Sequence, residues 1–99
     1  MLDISTINQS SFELKINGVE YKVEPCTVKT LKEFISIKSK NSEEAFTEYV
    51  SLVKKIIDKN KSNNQIALST LEDLTFVELN YILAEYMTWM KNIKNSPNL

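Results

Sequence analysis

The side chains that could do chemistry are few in this chain, and their types argue against catalysis. Cys26 is the single cysteine, and there is no histidine. A thiol nucleophile needs a neighbouring base or a lowered pKa. Cys26 lies close to an expected helix N-terminus, which can lower a thiol pKa, but no imidazole exists to complete a Cys-His or Ser-His pair. A partly buried, inert thiol is the expectation. One cysteine without histidine gives no zinc set, and the single glycine, Gly18, is committed to a turn, leaving no glycine-rich loop to cradle phosphate. Carboxylates are plentiful, yet Glu43, Glu44 and Glu48 are accounted for by a helix N-terminus and a solvated face. The reading is a protein that is not an enzyme, with no cofactor and no metal.

Charge narrows the partners. Lys and Arg together number 12, all of them lysine, against 13 Asp and Glu, for a formal net charge of -1. The guanidinium fork that reads guanine and clamps phosphate is missing, which disfavours nucleic acid. The lysine bias, with asparagine and isoleucine abundant, matches the amino-acid usage of an AT-rich genome and carries no functional meaning. An apolar fraction of 42% and a charged fraction of 25% are those of an ordinary globular protein. Ninety-nine residues suit one domain. Met1-Leu2-Asp3-Ile4-Ser5 has no basic region ahead of an apolar block, so no secretory signal is expected. No uncharged apolar run approaches the ~20 residues of a membrane span, and a lone cysteine fits a reducing cytoplasm.

The elements follow from punctuation and periodicity. Asn17-Gly18 separates two runs that alternate apolar and charged residues, a hairpin signal. With those two residues at the centre of a type I′ turn, Phe12, Leu14 and Ile16 face Val23, Tyr21 and Val19 on one side, while Glu13 faces Lys22 and Lys15 faces Glu20 on the other. Both charge pairs are opposite in sign, and a slip of one residue would push charges into the apolar face. Residues 1–11 read as a flexible arm, residues 12–94 as a hairpin-plus-helices domain and residues 95–99 as a tail.

Pro25 closes the second strand. A first helix begins at Thr27 or Thr30, with Thr30-x-x-Glu33 as a capping box and Val28, Leu31, Phe34 and Ile35 on one face. Ser42 is the expected N-cap of a second helix whose apolar face is Phe46, Tyr49, Val50, Val53, Ile56 and Ile57. Residues 59–65 read as a polar, mobile linker. Ser69-x-x-Glu72 and Thr75-x-x-Glu78 both have capping-box spacing, giving a short turn of helix and then a long one from about Phe76 to Ile93. The fold class is α+β: an N-terminal β-hairpin packed on a mostly α-helical domain of about three helices, with the terminal helix central.

That last helix is the most function-like feature. Its core stripe is Phe76, Leu79, Ile82, Leu83, Tyr86, Met90 and Ile93, and a second stripe of Val77, Tyr81, Ala84 and Thr88 runs nearly opposite. A helix apolar over so much of its circumference is central in its own domain or covered by a partner. Val77 and Tyr81 are expected to pack on the second helix; exposed, they become the partner site. Met87 and Trp89 form an interface patch with Met90, or Trp89 packs on the hairpin face. Val77, Tyr81, Met87 and Trp89 are the candidate partner-binding residues, chosen from pattern.

The run from Phe12-Glu13-Leu14-Lys15-Ile16-Asn17-Gly18 through Val23-Glu24-Pro25, followed by Thr27-Val28-Lys29-Thr30-Leu31, resembles the start of small tail assembly chaperones of long-tailed phages and prophages. The similarity continues into Leu71-Glu72-Asp73-Leu74 and the terminal amphipathic helix. The resemblance implies a protein of the host cytoplasm that binds the long helical tape measure protein, keeps it soluble and helps recruit tail tube protein. Two alternatives stand beside it. One is a structural virion component, a head-tail connector or tail subunit, which would form a closed homo-oligomer. The other is a small cytoplasmic protein-binding regulator.

Overall fold

A computed structural model describes residues 10–38 and 43–93. The arm's residues 1–9, the Ser42 cap and the 95–99 tail lie outside the described residues. Strands β1 (Phe12–Ile16) and β2 (Val19–Val23) pair antiparallel, Phe12 opposite Val23, Glu13 opposite Lys22, Leu14 opposite Tyr21, Lys15 opposite Glu20 and Ile16 opposite Val19. Asn17 and Gly18 have φ of 52° and 81°, the positive pair that a type I′ turn demands. Register and turn are those read from the sequence. Ile16, Tyr21 and Val23 are buried, and Glu13, Lys15, Glu20 and Lys22 lie in solvent.

Four helices follow: α1 (Val28–Lys38), α2 (Glu43–Asp58), the single-turn α3 (Leu68–Glu72) and α4 (Phe76–Asn92). The central one is α2, not α4. Its buried side chains Ala45, Tyr49, Leu52, Val53, Ile56 and Ile57 meet α1, α3 and β2, whereas α4 buries only Leu79, Leu83 and Tyr86. Burial of six such side chains, each worth roughly 1.5 to 3 kcal/mol for the large aliphatics, makes α2 the organising element. Leu52 joins the face that periodicity assigned, and Phe46 leaves it for solvent.

Local capping departs from the sequence reading in two places. Thr27, not Thr30, caps α1: its Oγ1 accepts the Thr30 N–H at 3.2 Å, and Thr30 is itself buried. The buried face of α1 is thereby Thr30, Phe34 and Ile37, which leaves Val28 and Ile35 exposed. Ser69 does not cap α3, whose N-cap is Ala67 with no side-chain bond. The Thr75–Glu78 capping box does form, with the Glu78 N–H donating to Thr75 Oγ1 at 3.0 Å and the Thr75 N–H to Glu78 Oε1 at 2.8 Å.

Residues 59–65 are not a free linker. Asn60 Nδ2 donates to the carbonyls of Ile57 and Asn64, each at 2.7 Å, and its Oδ1 accepts the Ser62 N–H at 2.9 Å. The segment then seals the outer edge of β2: the Glu24 N–H donates to Lys59 O, the Lys61 N–H to Lys22 O, the Lys22 N–H to Ser62 Oγ and Asn64 Nδ2 to Glu20 O. Asp58 finishes the connection by accepting the Ile66 N–H at 2.8 Å while pairing with Lys54. A polar composition here supplies backbone partners to a strand edge. Among the described residues no buried side-chain nitrogen or oxygen lacks a hydrogen-bond partner, and no helix is long and apolar enough to cross a membrane.

Candidate functional site

The four partner-binding candidates separate into two pairs. Trp89 is half-buried, its ring 5.8 Å from those of both Phe12 and Tyr86 and stacked on the latter. Phe12 completes the triangle, edge-on to Tyr86 at 5.5 Å. This cluster fixes α4 to the apolar face of the hairpin, the packing role weighed for Trp89. Met87 is also half-buried against the core. Val77 and Tyr81 behave differently. They are 77% and 67% exposed, so they do not pack on α2.

Two residues that periodicity put in the core join them. Phe76 and Phe46 are 56% and 52% exposed, and their rings meet edge-to-face at 5.7 Å, joining the first turns of α4 and α2. The hydroxyl of Tyr49 donates to Asn80 Oδ1 at 2.9 Å and holds the two helices together just below that pair. Periodicity does not reveal this exposure; the available signal is only that Phe46 and Phe76 both fall in the first turn of a helix. Phe76, Val77 and Tyr81 thus expose apolar side chains on the N-terminal half of α4, with Phe46 of α2 against Phe76.

Val77 and Tyr81 line a cleft of about 600 Å³ between α4 and β1, with Ile82 beside them on the helix side and Phe12, Leu14 and Ile16 on the strand side. Among the described residues its rim carries Glu13, Glu78 and Glu85 against one cation, Lys15. An apolar trough with an acidic rim suits an amphipathic helix whose apolar stripe is flanked by lysines.

The surroundings of Cys26 do not activate its thiol. The Cys26 thiol donates to Met90 Sδ at 3.8 Å, and burial is the main cause that pushes its pKa up, the opposite of activation. The Tyr86 hydroxyl donates to Glu24 O at 2.6 Å, and burial, then the adjacent Cys26, raise its pKa well above the ordinary phenol range. Tyr86 thus locks α4 to the end of β2. Among the described residues no group of three or more Cys, Asp or Glu side chains is disposed to hold a metal ion. Compared with protein-family models, curated proteins and solved structures, the chain matches none.

Proposed function

We propose that this chain is a tail assembly chaperone of a long-tailed phage or prophage, and that it binds amphipathic helical segments of the tape measure protein along α4. The observation that carries the reading is the exposed set Phe76, Val77 and Tyr81 on α4, a helix that commits Leu79, Leu83 and Tyr86 to the core, with Phe46 of α2 set against Phe76. Contiguous exposed apolar side chains of this size, rimmed by charge, mark interaction sites on small proteins. Aromatic anchors at the centre of such a patch supply most of the binding energy. The acidic rim selects a lysine-flanked helix and repels acidic ones. Binding of this kind covers the apolar face of an aggregation-prone helical chain until tail tube protein takes its place.

The test is to tag the chain in its native host, purify it during particle production and identify its companions by mass spectrometry, then assay finished particles for the tagged chain. Recovery of a long helical protein, with the tagged chain missing from particles, supports the chaperone reading. Retention in particles makes the chain a connector or tail subunit instead. Recovery of neither phage partner nor particle removes the phage assignment.

A further inference from the structure

The hairpin has two edges, and among the described residues only one is covered. Along the outer edge of β2 and its continuation at Glu24, the Glu20 O, Lys22 N–H, Lys22 O and Glu24 N–H groups are bonded to residues 59–64. Since Glu20 and Lys22 point outward, their partners Lys15 and Glu13 stand in the non-hydrogen-bonded pairs of the ladder and direct their own N–H and C=O groups out of the other edge. Among the described residues nothing bonds to those four groups. An open strand edge is a template for another strand, and a two-stranded hairpin gains most from being extended.

The sequence of β1 says which strand fits. Phe12-Glu13-Leu14-Lys15-Ile16 is self-complementary about Leu14. We infer that a second copy of this chain pairs with β1 edge to edge, antiparallel and two-fold about Leu14, to build a four-stranded sheet in the order β2-β1-β1-β2. In that register Glu13 of each copy faces Lys15 of the other, twice over, and these are the outward-pointing residues, so the pairing makes four backbone hydrogen bonds. Leu14 meets its own copy on the axis as a close non-hydrogen-bonded pair, and Phe12 faces Ile16. The same two charges that blunt an edge against foreign strands are matched here by the two-fold operation. A slip by two residues in either direction loses both charge matches and sets Glu13 against Glu13 or Lys15 against Lys15, and a slip of one reverses the faces.

The axis stands normal to the sheet, so both α4 helices lie on the same side of it. The cleft beside β1 then opens onto its own copy, and the Val77–Tyr81 stripes flank a groove floored by the paired strands. The pairing rests on the β1 edge alone and stands or falls apart from the tape measure reading.

The experiment is sedimentation velocity on the purified full chain over a concentration series, with the variants Glu13→Lys and Lys15→Glu run singly and mixed. Each variant puts like charges opposite each other at both positions of its own dimer, whereas a mixed pair restores both matches. The wild type is expected to sediment as a dimer, each variant alone to shift to monomer, and the equimolar mixture to return to dimer. Rescue on mixing cannot arise from unfolding, and circular dichroism of each variant checks the fold directly. A wild type that stays monomeric at every concentration overturns the inference. Variants that dimerise as well as wild type, or a mixture that stays monomeric, overturn it equally.

Discussion

Asn60→Ala is the substitution that tests most about how this fold is held. Asn60 is half-buried and its side chain makes three bonds of 2.7 to 2.9 Å to the backbone of Ile57, Ser62 and Asn64. Each such bond contributes about 1 kcal/mol net, so truncation removes roughly 3 kcal/mol, with water recovering part of it because the site is only half-buried. A net loss of about 2 kcal/mol lowers Tm by roughly 8 to 16 °C in a domain of this size. The damage spreads to the hairpin, because the segment that Asn60 shapes also bonds the outer edge of β2 through Lys59, Lys61 and Ser62. Thermal melts by circular dichroism give the first number, and amide exchange gives the location: Glu24 and Lys22 N–H groups lose protection, while Tyr21, bonded toward β1, keeps it. A Tm within about 2 °C of wild type, or uniform exchange across both strand edges, refutes the assigned role.

Gly18→Val forces a β-branched residue to φ of 81° and costs about 1 to 2 kcal/mol, read as a lower Tm, although no neighbour lies within 4 Å of the added Cβ; an unchanged Tm would refute the turn. Trp89→Ala and Tyr81→Glu are opposites: loss of the half-buried ring between Phe12 and Tyr86 costs roughly 2 to 4 kcal/mol in denaturant titration, whereas the exposed Tyr81 changes stability by under about 0.5 kcal/mol and instead weakens partner capture. Equal destabilisation by the two would place Tyr81 in the core. Cys26, Tyr49 and Tyr86 all have pKa values raised by burial, so the unfolded chain releases their protons first. Their contribution to stability is complete below the ordinary thiol range, about pH 8.5, and declines above it through the phenol range, which urea unfolding at rising pH would register.

The hairpin was legible to the residue because its register is specified twice, by the Asn17-Gly18 turn and by two charge pairs that any slip would break. Thr75-x-x-Glu78 was legible for a similar reason: two side chains satisfy each other's backbone at fixed spacing. Ser69-x-x-Glu72 has the same spacing and fails, because α3 starts at Leu68 between the buried anchors Ile66 and Leu71 and runs for one turn only. What periodicity could not tell was which apolar stripe finds a cover. Both α2 and α4 carry apolar residues at helical spacing, and the choice between them lies in tertiary packing: α2 is enclosed by α1, α3 and β2, whereas Phe76, Val77 and Tyr81 of α4 stay in solvent. The polarity of the run from Lys59 to Gln65 predicts a mobile linker, and the segment is instead held in place. Asparagine and serine side chains that bond backbone groups turn a polar stretch into an ordered strap, and Asn60 does so here.

A photo-crosslinking residue at position 81, compared with one at Lys32 on exposed α1, measures the proposed partner contact directly in cells making particles. Crosslinking from position 81 and not from position 32 to a long helical protein, with the crosslinked species absent from finished particles, is the expected result. A crosslink from position 81 only to another copy of this chain, to a subunit retained in finished particles, or to nothing would contradict the chaperone reading.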